Sequence, residues 1–260
     1  MLEIQEKAPI IHCEFIAEDI FLLALHSPRI AEKAMPGQFL MIRIGFFDDP
    51  LLRRPFSIHQ VSAEGKIEML IKIVGRGSKV LATLKPGMKI DIVGPLGRGF
   101  FTNPQGTVCL VGGGMGIAPL SFLGKRLQRT KNPPAGHVLL GARTANEVEI
   151  FQRQFIGMGY RVGVATDDGT LGHHGFVTEL FDDLLASVKM VYVCGPHPMM
   201  RKIALKCLEH GIDCQVSMET VMACGLGACL GCTINGADNS YVHVCKDGPV
   251  FEAEEVAWDR

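Results

Sequence analysis

Four cysteines near the C-terminus follow a spacing that few kinds of site share. They are Cys224, Cys229, Cys232 and Cys245, so the pattern is C-x4-C-x2-C-x12-C. The first three have the spacing of plant-type ferredoxins, in which four thiolates hold a [2Fe–2S] cluster. The chain has nine cysteines, and an odd number excludes a fully paired disulfide framework within one chain. We therefore expect these four thiols to ligate a [2Fe–2S] cluster.

Zinc is the main alternative metal for four cysteines, but zinc ribbons favour two C-x2-C pairs. The loop also carries Gly225, Gly227 and Gly231. A loop that wraps a cluster brings its N–H groups toward sulfur, and we expect side chains at these three positions to obstruct that approach. The spacing and the glycines together favour a cluster over zinc, and over a chance grouping of buried thiols.

The charge balance of the chain argues against nucleic acid as a partner. Lys and Arg number 26 against 27 Asp and Glu, for a formal net charge of −1. Nucleic-acid binders normally carry a basic surplus that replaces phosphate counterions. No apolar run reaches the roughly 18 residues of a membrane helix, and Glu3 and Glu6 stand where a secretion signal would be basic. We expect a cytoplasmic protein with reduced cysteines and no membrane partner.

The residue pattern divides the 260 residues into three parts. Residues 1–100 carry short apolar or alternating runs, which predict a small antiparallel β-barrel of about six strands. One short helix is expected from Gly77 to Leu84. Residues 101–215 alternate strands with helices, which predicts a parallel sheet of βαβ units. Residues 216–260 break this rhythm and form the cysteine-rich segment, so the expected fold is α+β and multi-domain.

Two segments of the predicted barrel suit a flavin dinucleotide. In Arg54–Ser57, Arg54 would neutralise a pyrophosphate, Phe56 would pack on the flavin, and Ser57 would hydrogen-bond the ring edge. Residues 75–78 (G-R-G-S) open the short helix, and a helix N-terminus after glycines suits the same pyrophosphate. A solvated edge strand alone would also explain the first segment.

A glycine-rich loop marks the predicted parallel sheet. Gly112–Gly116 lies between a strand and a helix, where dinucleotide pyrophosphates bind in open α/β sheets. The loop lacks the last glycine of G-x-G-x-x-G because Ile117 stands there, so a tight turn is the alternative. Cys194 and Gly195 end a later strand and would project into the same crevice. For Cys194 alone, a buried structural cysteine is the alternative.

Together, R-P-x-S, G-G-G-x-G-x-A-P and C-G-P resemble the ferredoxin reductase flavoprotein family. The segment M-E-x-x-M-A-C-G-x-G-A-C-x-G-C, followed by V-C-K-D-G-P-V-F, is similar to one branch of it. That branch comprises the electron-transfer subunits of type B dihydroorotate dehydrogenases. The three parts follow that family's order, so the resemblance covers essentially the whole chain.

The resemblance implies an NAD-linked oxidoreductase component of pyrimidine (UMP) biosynthesis. It implies one FAD and one [2Fe–2S] cluster per chain, with electrons passing between NAD(H) and an FMN-containing catalytic subunit in a heterotetramer of two of each. It implies no catalytic side chain of its own, because the cofactors carry the chemistry. The implied FAD contacts are Arg54, Pro55, Phe56, Ser57, Leu70, Ile71, Lys72, Gly77 and Ser78. The implied NAD contacts are Gly112, Gly113, Gly114, Gly116, Cys194 and Gly195, with Cys194 near the nicotinamide, and the implied cluster ligands are Cys224, Cys229, Cys232 and Cys245.

Three details stay open at this point. Arg143 stands where an acid reading the ribose hydroxyl would be expected, which leaves NADPH open as the nucleotide. Asp167 and Asp168 are either nucleotide contacts or part of a turn. Leu226 and Leu230 either face a partner near the cluster or pack against the barrel.

Two other functions compete with the one that the resemblance implies. The first is a related reductase subunit of a ferredoxin:NADP or hydrogenase/sulfur reductase complex. The second is a binding module without flavin whose tail holds zinc.

Overall fold

The computed structural model describes residues 3–44 and 50–258. The ends of the expected first and third parts, residues 1–2 and 259–260, lie outside the described residues.

The N-terminal part is an antiparallel sheet of seven strands in the order β4-β3-β7-β1-β2-β6-β5. β4 also lies close to β6, so the sheet curves into a barrel-like shape, as the sequence predicted. The predicted helix is observed, but it ends three residues before Leu84, and a second short helix that begins at Pro28 was not predicted. Its elements are β1 (Ile4–Ala17), β2 (Ile20–His26), α1 (Pro28–Lys33), β3 (Phe39–Ile42), β4 (Arg54–Ser57), β5 (Gln60–Val61), β6 (Lys66–Lys72), α2 (Arg76–Leu81) and β7 (Lys89–Leu96).

The middle part is a parallel sheet in the order β11-β10-β9-β8-β12-β13. All six residues of β8 are buried, as expected of a strand with helices on both faces of its sheet. The predicted βαβ pattern is therefore confirmed. Its elements are β8 (Val108–Gly113), α3 (Ile117–Gln128), β9 (Gly136–Ala142), α4 (Ala145–Gly157), β10 (Arg161–Thr166), β11 (His173–His174), α5 (Val177–Leu180), β12 (Met190–Cys194), α6 (His197–His210) and β13 (Asp213–Ser217).

The cysteine-rich segment adds a hairpin, β14 (Thr233–Asn235) with β15 (Tyr241–His243), and then β16 (Val250–Glu252). β16 pairs with β13 antiparallel and becomes the edge strand of the parallel sheet. This edge strand was not predicted from the sequence. Trp258, the last described residue, is held against this segment, because its indole N–H donates a hydrogen bond to the Ala253 carbonyl at 2.7 Å.

The hydrophobic core consists of three clusters, and one of them joins all three parts of the chain. One cluster lies inside the barrel sheet, and a second lies between the parallel sheet and helices α3 and α4. A third covers the opposite face of the parallel sheet and joins Met41 of the barrel to Val193 of the sheet and to Val244 beside the cysteines. The cysteine segment is therefore packed against both other parts. No helix among the described residues is long and apolar enough to cross a membrane.

Candidate functional site

The four cysteines of the C-x4-C-x2-C-x12-C pattern lie together as two pairs of thiols. The Sγ atoms of Cys232 and Cys245 are 3.2 Å apart, and the Cys229 thiol lies near enough to Cys224 to help lower the pKa of that thiol. Within residues 3–44 and 50–258, no group of three or more His, Cys, Asp or Glu side chains is placed to hold a single metal ion. A binuclear [2Fe–2S] cluster takes two thiolates on each iron, which fits two pairs.

Backbone N–H groups of the cysteine loop point at these sulfurs, as the sequence analysis expected of a cluster-binding loop. They donate from Leu226 to Cys224 at 3.3 Å, from Gly227 to Cys245 at 3.1 Å and from Gly231 to Cys229 at 3.5 Å.

These N–H groups favour the thiolate at one ligand position. Burial raises the pKa of Cys224, but hydrogen bonds to its sulfur, including those from the N–H groups of Leu226 and Cys229, outweigh burial and lower that pKa to about 6. Burial, with the neighbouring Cys232 thiol, raises the pKa of Cys245 to about 12. Two adjacent thiols do not readily both ionise, and a bound metal cation removes that obstacle.

Backbone conformation and space both require glycine at two of the three positions, since an added Cβ at Gly225 would lie 2.4 Å from Met41 and one at Gly227 would lie 2.7 Å from Lys246. Gly225 and Gly227 have φ values of 73° and 76°, in the left-handed region that favours glycine. At Gly231 an added Cβ would lie 3.6 Å from the Cys229 sulfur, which is an ordinary contact. The expected obstruction is therefore not observed at Gly231.

An apolar rim lies on the segment that carries the cysteines. Leu226 and Leu230 are 50% and 57% exposed, and Val221 and Tyr241 are 85% and 72% exposed. Burial of Leu226 and Leu230 against the barrel, which the sequence left open, is therefore not observed. We call these four residues the apolar rim.

The barrel-side cavity, of about 340 Å³, lies between the barrel and the parallel sheet. Its barrel wall comes from the ends of β4 and β6, and Met115 and Ala118 form part of the opposite wall. Six of the residues that the resemblance implied for FAD line it: Pro55, Phe56, Ser57, Leu70, Ile71 and Lys72.

The other three implied FAD residues do not line this cavity. The Arg54 guanidinium donates to the carbonyls of Leu52 at 2.9 Å and Arg53 at 3.2 Å. The Ser78 hydroxyl closes the first turn of α2, since it accepts from the Val74 N–H at 3.0 Å. Gly77 lies in the same turn, where an added Cβ would be 3.6 Å from Ile44.

The sheet-edge cavity, of about 620 Å³, lies at the carboxyl edge of the parallel sheet. Gly113 at the end of β8, Gly114 directly after it, Arg143 after β9 and Asp167 after β10 line it. Open α/β sheets bind nucleotides at this edge. Asp168 instead belongs to the turn that the sequence offered as the alternative, because its Oδ1 accepts a hydrogen bond from the Thr170 N–H at 3.0 Å.

Arg143 is held by an ion-pair chain across the junction of barrel and parallel sheet. Its Nη2 lies 2.7 Å from Glu147 Oε1, and Lys72 Nζ lies 2.7 Å from the same oxygen. Burial raises the pKa of Glu147, but the hydrogen bonds from Lys72 and Arg143 outweigh burial and bring that pKa below its ordinary value. Lys72 also lines both cavities, so this series of ion pairs links the walls of the barrel-side and sheet-edge cavities.

Glycine is required at position 116 because the backbone of the glycine-rich loop contacts the backbone at the end of β12 there. A Cβ at Gly116 would lie 2.1 Å from the carbonyl oxygen of Cys194, although the φ of −60° is ordinary. Gly112 is buried at the end of β8, and an added Cβ there would meet Ile117 at 3.0 Å. The thiol of Cys194 is buried, and burial raises its pKa far above the ordinary range.

A third, bridging cavity of about 250 Å³ shares lining residues with each of the other two. It shares Gly113, Gly114 and Pro196 with the sheet-edge cavity, and Met115 and Glu219 with the barrel-side cavity. Gly116 and Gly195 also line it, so the predicted loop and strand end meet here.

Two family patterns match the chain and coincide with the geometry. The family described as "Oxidoreductase FAD-binding domain" matches residues 7–101, which include the barrel wall of the barrel-side cavity. The family described as "Iron-sulfur cluster binding domain of dihydroorotate dehydrogenase B" matches residues 219–257, which include all four cysteines.

Curated relatives match nearly the full length of the chain. The dihydroorotate dehydrogenase B (NAD(+)) electron transfer subunit of Desulforamulus reducens is 39% identical over 259 residues, with 97% of this chain and 98% of the relative covered. The chain belongs to this family of electron transfer subunits. The subunit of the same name from Bacillus velezensis is 40% identical over 248 residues and covers 93% of this chain and 94% of its own length.

Solved structures support the same fold for this electron transfer subunit. A structure described under flavin-based electron bifurcation by an NADH-dependent reduced ferredoxin-NADP oxidoreductase has a TM-score of 0.85 and 34% identity, over 98% of this chain and 91% of that one. A ferredoxin reductase of carbazole 1,9a-dioxygenase has a TM-score of 0.65 and 22% identity, over 82% of this chain and 67% of that one, and shows the shared fold alone. The predicted ferredoxin reductase-like fold is thus confirmed.

The electron transfer subunit also has site residues that the sequence analysis did not single out. Glu219 follows β13 and lines two cavities, and Met115 lies in the glycine loop and lines the same two. The available signal for Glu219 was its place just after a parallel strand, where ligands bind. The pairing of Lys72 with Glu147 joins residues 75 positions apart and has no local signal.

Proposed function

We propose that this chain transfers electrons between NAD(H) and the catalytic subunit of a dihydroorotate dehydrogenase B, through FAD and a [2Fe–2S] cluster, in pyrimidine biosynthesis. The observation that carries the proposal is the cysteine segment, since its four thiols lie in two pairs within the matched iron–sulfur domain. When bound, FAD would exchange a hydride with the nicotinamide and single electrons with the cluster. The protein supplies the positions and the electrostatic environment of these groups.

Six residues of the barrel would bind FAD in the barrel-side cavity. Phe56 gives an aromatic surface, Ser57 gives a hydroxyl, and Leu70 and Ile71 of the same wall exclude water. Arg54, Gly77 and Ser78 lie beside this wall, where we propose that they meet the pyrophosphate arm. In that case the Arg54 guanidinium exchanges its backbone carbonyl partners for phosphate.

NAD(H) would occupy the sheet-edge cavity and reach the flavin through the bridging cavity. Gly113 and Gly114 expose backbone to the pyrophosphate, and Gly195 lies where the nicotinamide would enter. Hydride transfer needs the two rings within about 3.5 Å of each other, and the residues that the bridging cavity shares with the other two cavities favour that contact. Cys194 ends β12 just before Gly195, and we propose that it lies near the nicotinamide.

The same edge favours NAD(H) over NADP(H). The Asp167 carboxylate lines the cavity beside the ribose-reading position and would repel a 2′-phosphate. Arg143, which stands where a 2′-phosphate partner would be expected, is already paired with Glu147. The relatives' name specifies NAD(+), in agreement with this assignment.

The partner would bind at the apolar rim around the cluster. Exposed large apolar side chains beside a redox site are typical of a docking surface, and the relatives are named as subunits. We propose a cytoplasmic heterotetramer of two such chains and two FMN-containing catalytic subunits. Electrons would leave through the cluster because it is the site nearest this surface.

A second candidate function follows from the structural likeness to the NADH-dependent reduced ferredoxin-NADP oxidoreductase. That protein's chain is 34% identical and aligns over 98% of this one, so the same fold serves a different complex. In that case the partner would be another reductase subunit, and dihydroorotate would have no effect.

Reconstitution distinguishes the two functions. We would purify the chain with FAD and cluster, add the cognate FMN-containing catalytic subunit, and measure NAD⁺ reduction at 340 nm with and without dihydroorotate. We expect NAD⁺ reduction that requires both subunits and dihydroorotate. NAD⁺ reduction independent of dihydroorotate, or no complex on gel filtration, would reject the leading proposal.

A further inference from the structure

Glu219 lies where the two ligand cavities meet. It follows β13 and, with Met115, lines both the bridging cavity and the barrel-side cavity. Of these two shared residues, Glu219 alone carries charge. If the flavin fills one cavity and the nucleotide enters through the other, the reacting nicotinamide ring must lie at this junction, because hydride transfer requires ring contact.

The Glu219 carboxylate has no cation of its own. Within the described ranges, its oxygen atoms form no ion pair with a Lys, Arg or His side chain. The side chain is exposed in the cleft, but the protein around its carboxylate removes part of the carboxylate's hydration, and this desolvation raises its pKa above the ordinary value. The negative charge of the same carboxylate contributes to the raised pKa of the Cys194 thiol. The electrostatic field of Glu219 therefore reaches the end of β12, where we propose that the nicotinamide binds. An unpaired acid in a ligand cleft favours a ligand that brings positive charge.

The nicotinamide ring brings positive charge in only one oxidation state. Oxidised nicotinamide is a cation, and gain of a hydride makes the ring neutral. We propose that Glu219 is the counter-ion of the oxidised nicotinamide ring and so makes the site bind NAD⁺ more tightly than NADH. This inference rests on the proposed function, since it assumes that NAD(H) occupies the bridging cavity.

A counter-ion and a simple hydrogen-bond acceptor have different consequences. An acceptor for the carboxamide N–H would serve both oxidation states equally, because the carboxamide is the same in both. A counter-ion discriminates between them through ring charge alone. Removal of the charge at constant shape therefore separates the two roles.

The test measures binding to the complete chain with FAD and cluster in place. NAD⁺ and 1,4,5,6-tetrahydro-NAD, whose ring is neutral and gives no hydride, are titrated against the flavin absorbance of wild type, Glu219→Gln, Glu219→Asp and Glu209→Gln. Glu209→Gln removes an exposed carboxylate of α6 that lines none of the three cavities.

We expect Glu219→Gln to raise the dissociation constant of NAD⁺ about tenfold, or about 1.4 kcal/mol, and that of the neutral analogue less than about twofold. Glu219→Asp recovers most of the NAD⁺ affinity, and Glu209→Gln matches wild type. Equal losses for both ligands, no loss for either, or release of FAD from Glu219→Gln would overturn the counter-ion role. Wild type that keeps FAD but binds neither nucleotide would instead reject the proposed function, and the inference with it.

Discussion

Substitution of Gly116 by alanine tests whether the nucleotide site depends on a contact between two backbones. Gly116 has a φ of −60°, which alanine adopts readily, so backbone conformation does not oppose the change. An added Cβ would however lie 2.1 Å from the carbonyl oxygen of Cys194, 2.3 Å from its carbonyl carbon and 2.6 Å from the Gly195 nitrogen. All three atoms are backbone, and no rotamer change relieves the overlap.

The magnitude follows from how far the two segments must separate. A normal carbon–oxygen contact exceeds 3.0 Å, so the glycine loop and the turn after β12 must move apart by about 1 Å. Overpacking of a well-packed site costs about 1–3 kcal/mol, and rigid backbone on both sides puts this case at the upper end. For a chain of this size, about 3 kcal/mol lowers Tm by about 6–12 °C. The same shift displaces Gly113 and Gly195 at the bridging cavity, so NAD⁺ affinity falls while FAD stays bound.

Gly157→Ala is the matched control. Gly157 is the last residue of α4 and is exposed, and an added Cβ at this position would have no atom within 4 Å. Alanine at such a position stabilises by about 0.4–1 kcal/mol, so Tm should rise slightly and NAD⁺ binding should not change. The assay is thermal unfolding followed by flavin fluorescence, with NAD⁺ titration of each variant. If Gly116→Ala melted like Gly157→Ala and bound NAD⁺ normally, the close approach at Cys194 would not be what requires glycine.

Three further substitutions test the proposed cofactor sites. Cys229→Ser should abolish the cluster absorbance and electron flow to the partner but keep FAD; undiminished flow in this variant would reject the cluster as the electron route. Arg54→Ala should release FAD on gel filtration at least about tenfold more readily, since it removes one charge-assisted contact to phosphate, and normal flavin content would count against that contact. Asp167→Ala should raise the NADPH-to-NADH ratio of kcat/KM about tenfold because it removes a like-charge repulsion; an unchanged ratio in steady-state assays would show that Asp167 does not read the ribose.

The sequence predicted the parts of the site that depend on short-range pattern. The cysteine spacing, the glycine loop and the R-P-x-S strand each lie within a few residues, and each reflects a local requirement for sulfur, bare backbone or an arginine. Residues that act through distant contacts left no such pattern. Glu147, for example, is an ordinary helix residue until the fold brings Lys72 of the barrel to its carboxylate. The two aspartates show the same limit, since their turn was visible but only the structure separates Asp168 in the turn from Asp167 in the cavity.

The join between the cysteine segment and the parallel sheet has a consequence for electron transfer. β16 pairs with β13, and the Gln215 amide reinforces this pair through Glu252 at 2.6 Å. On the other side, the Arg98 N–H of the barrel donates to the Gly248 carbonyl at 2.5 Å. The chain that follows Cys245 is thus hydrogen-bonded both to the sheet that would bind NAD(H) and to the barrel that would bind FAD. Because the protein's contribution to cofactor chemistry is position, these bonds would hold a cluster on the four cysteines in place relative to both sites, which a flexible cysteine tail would not do.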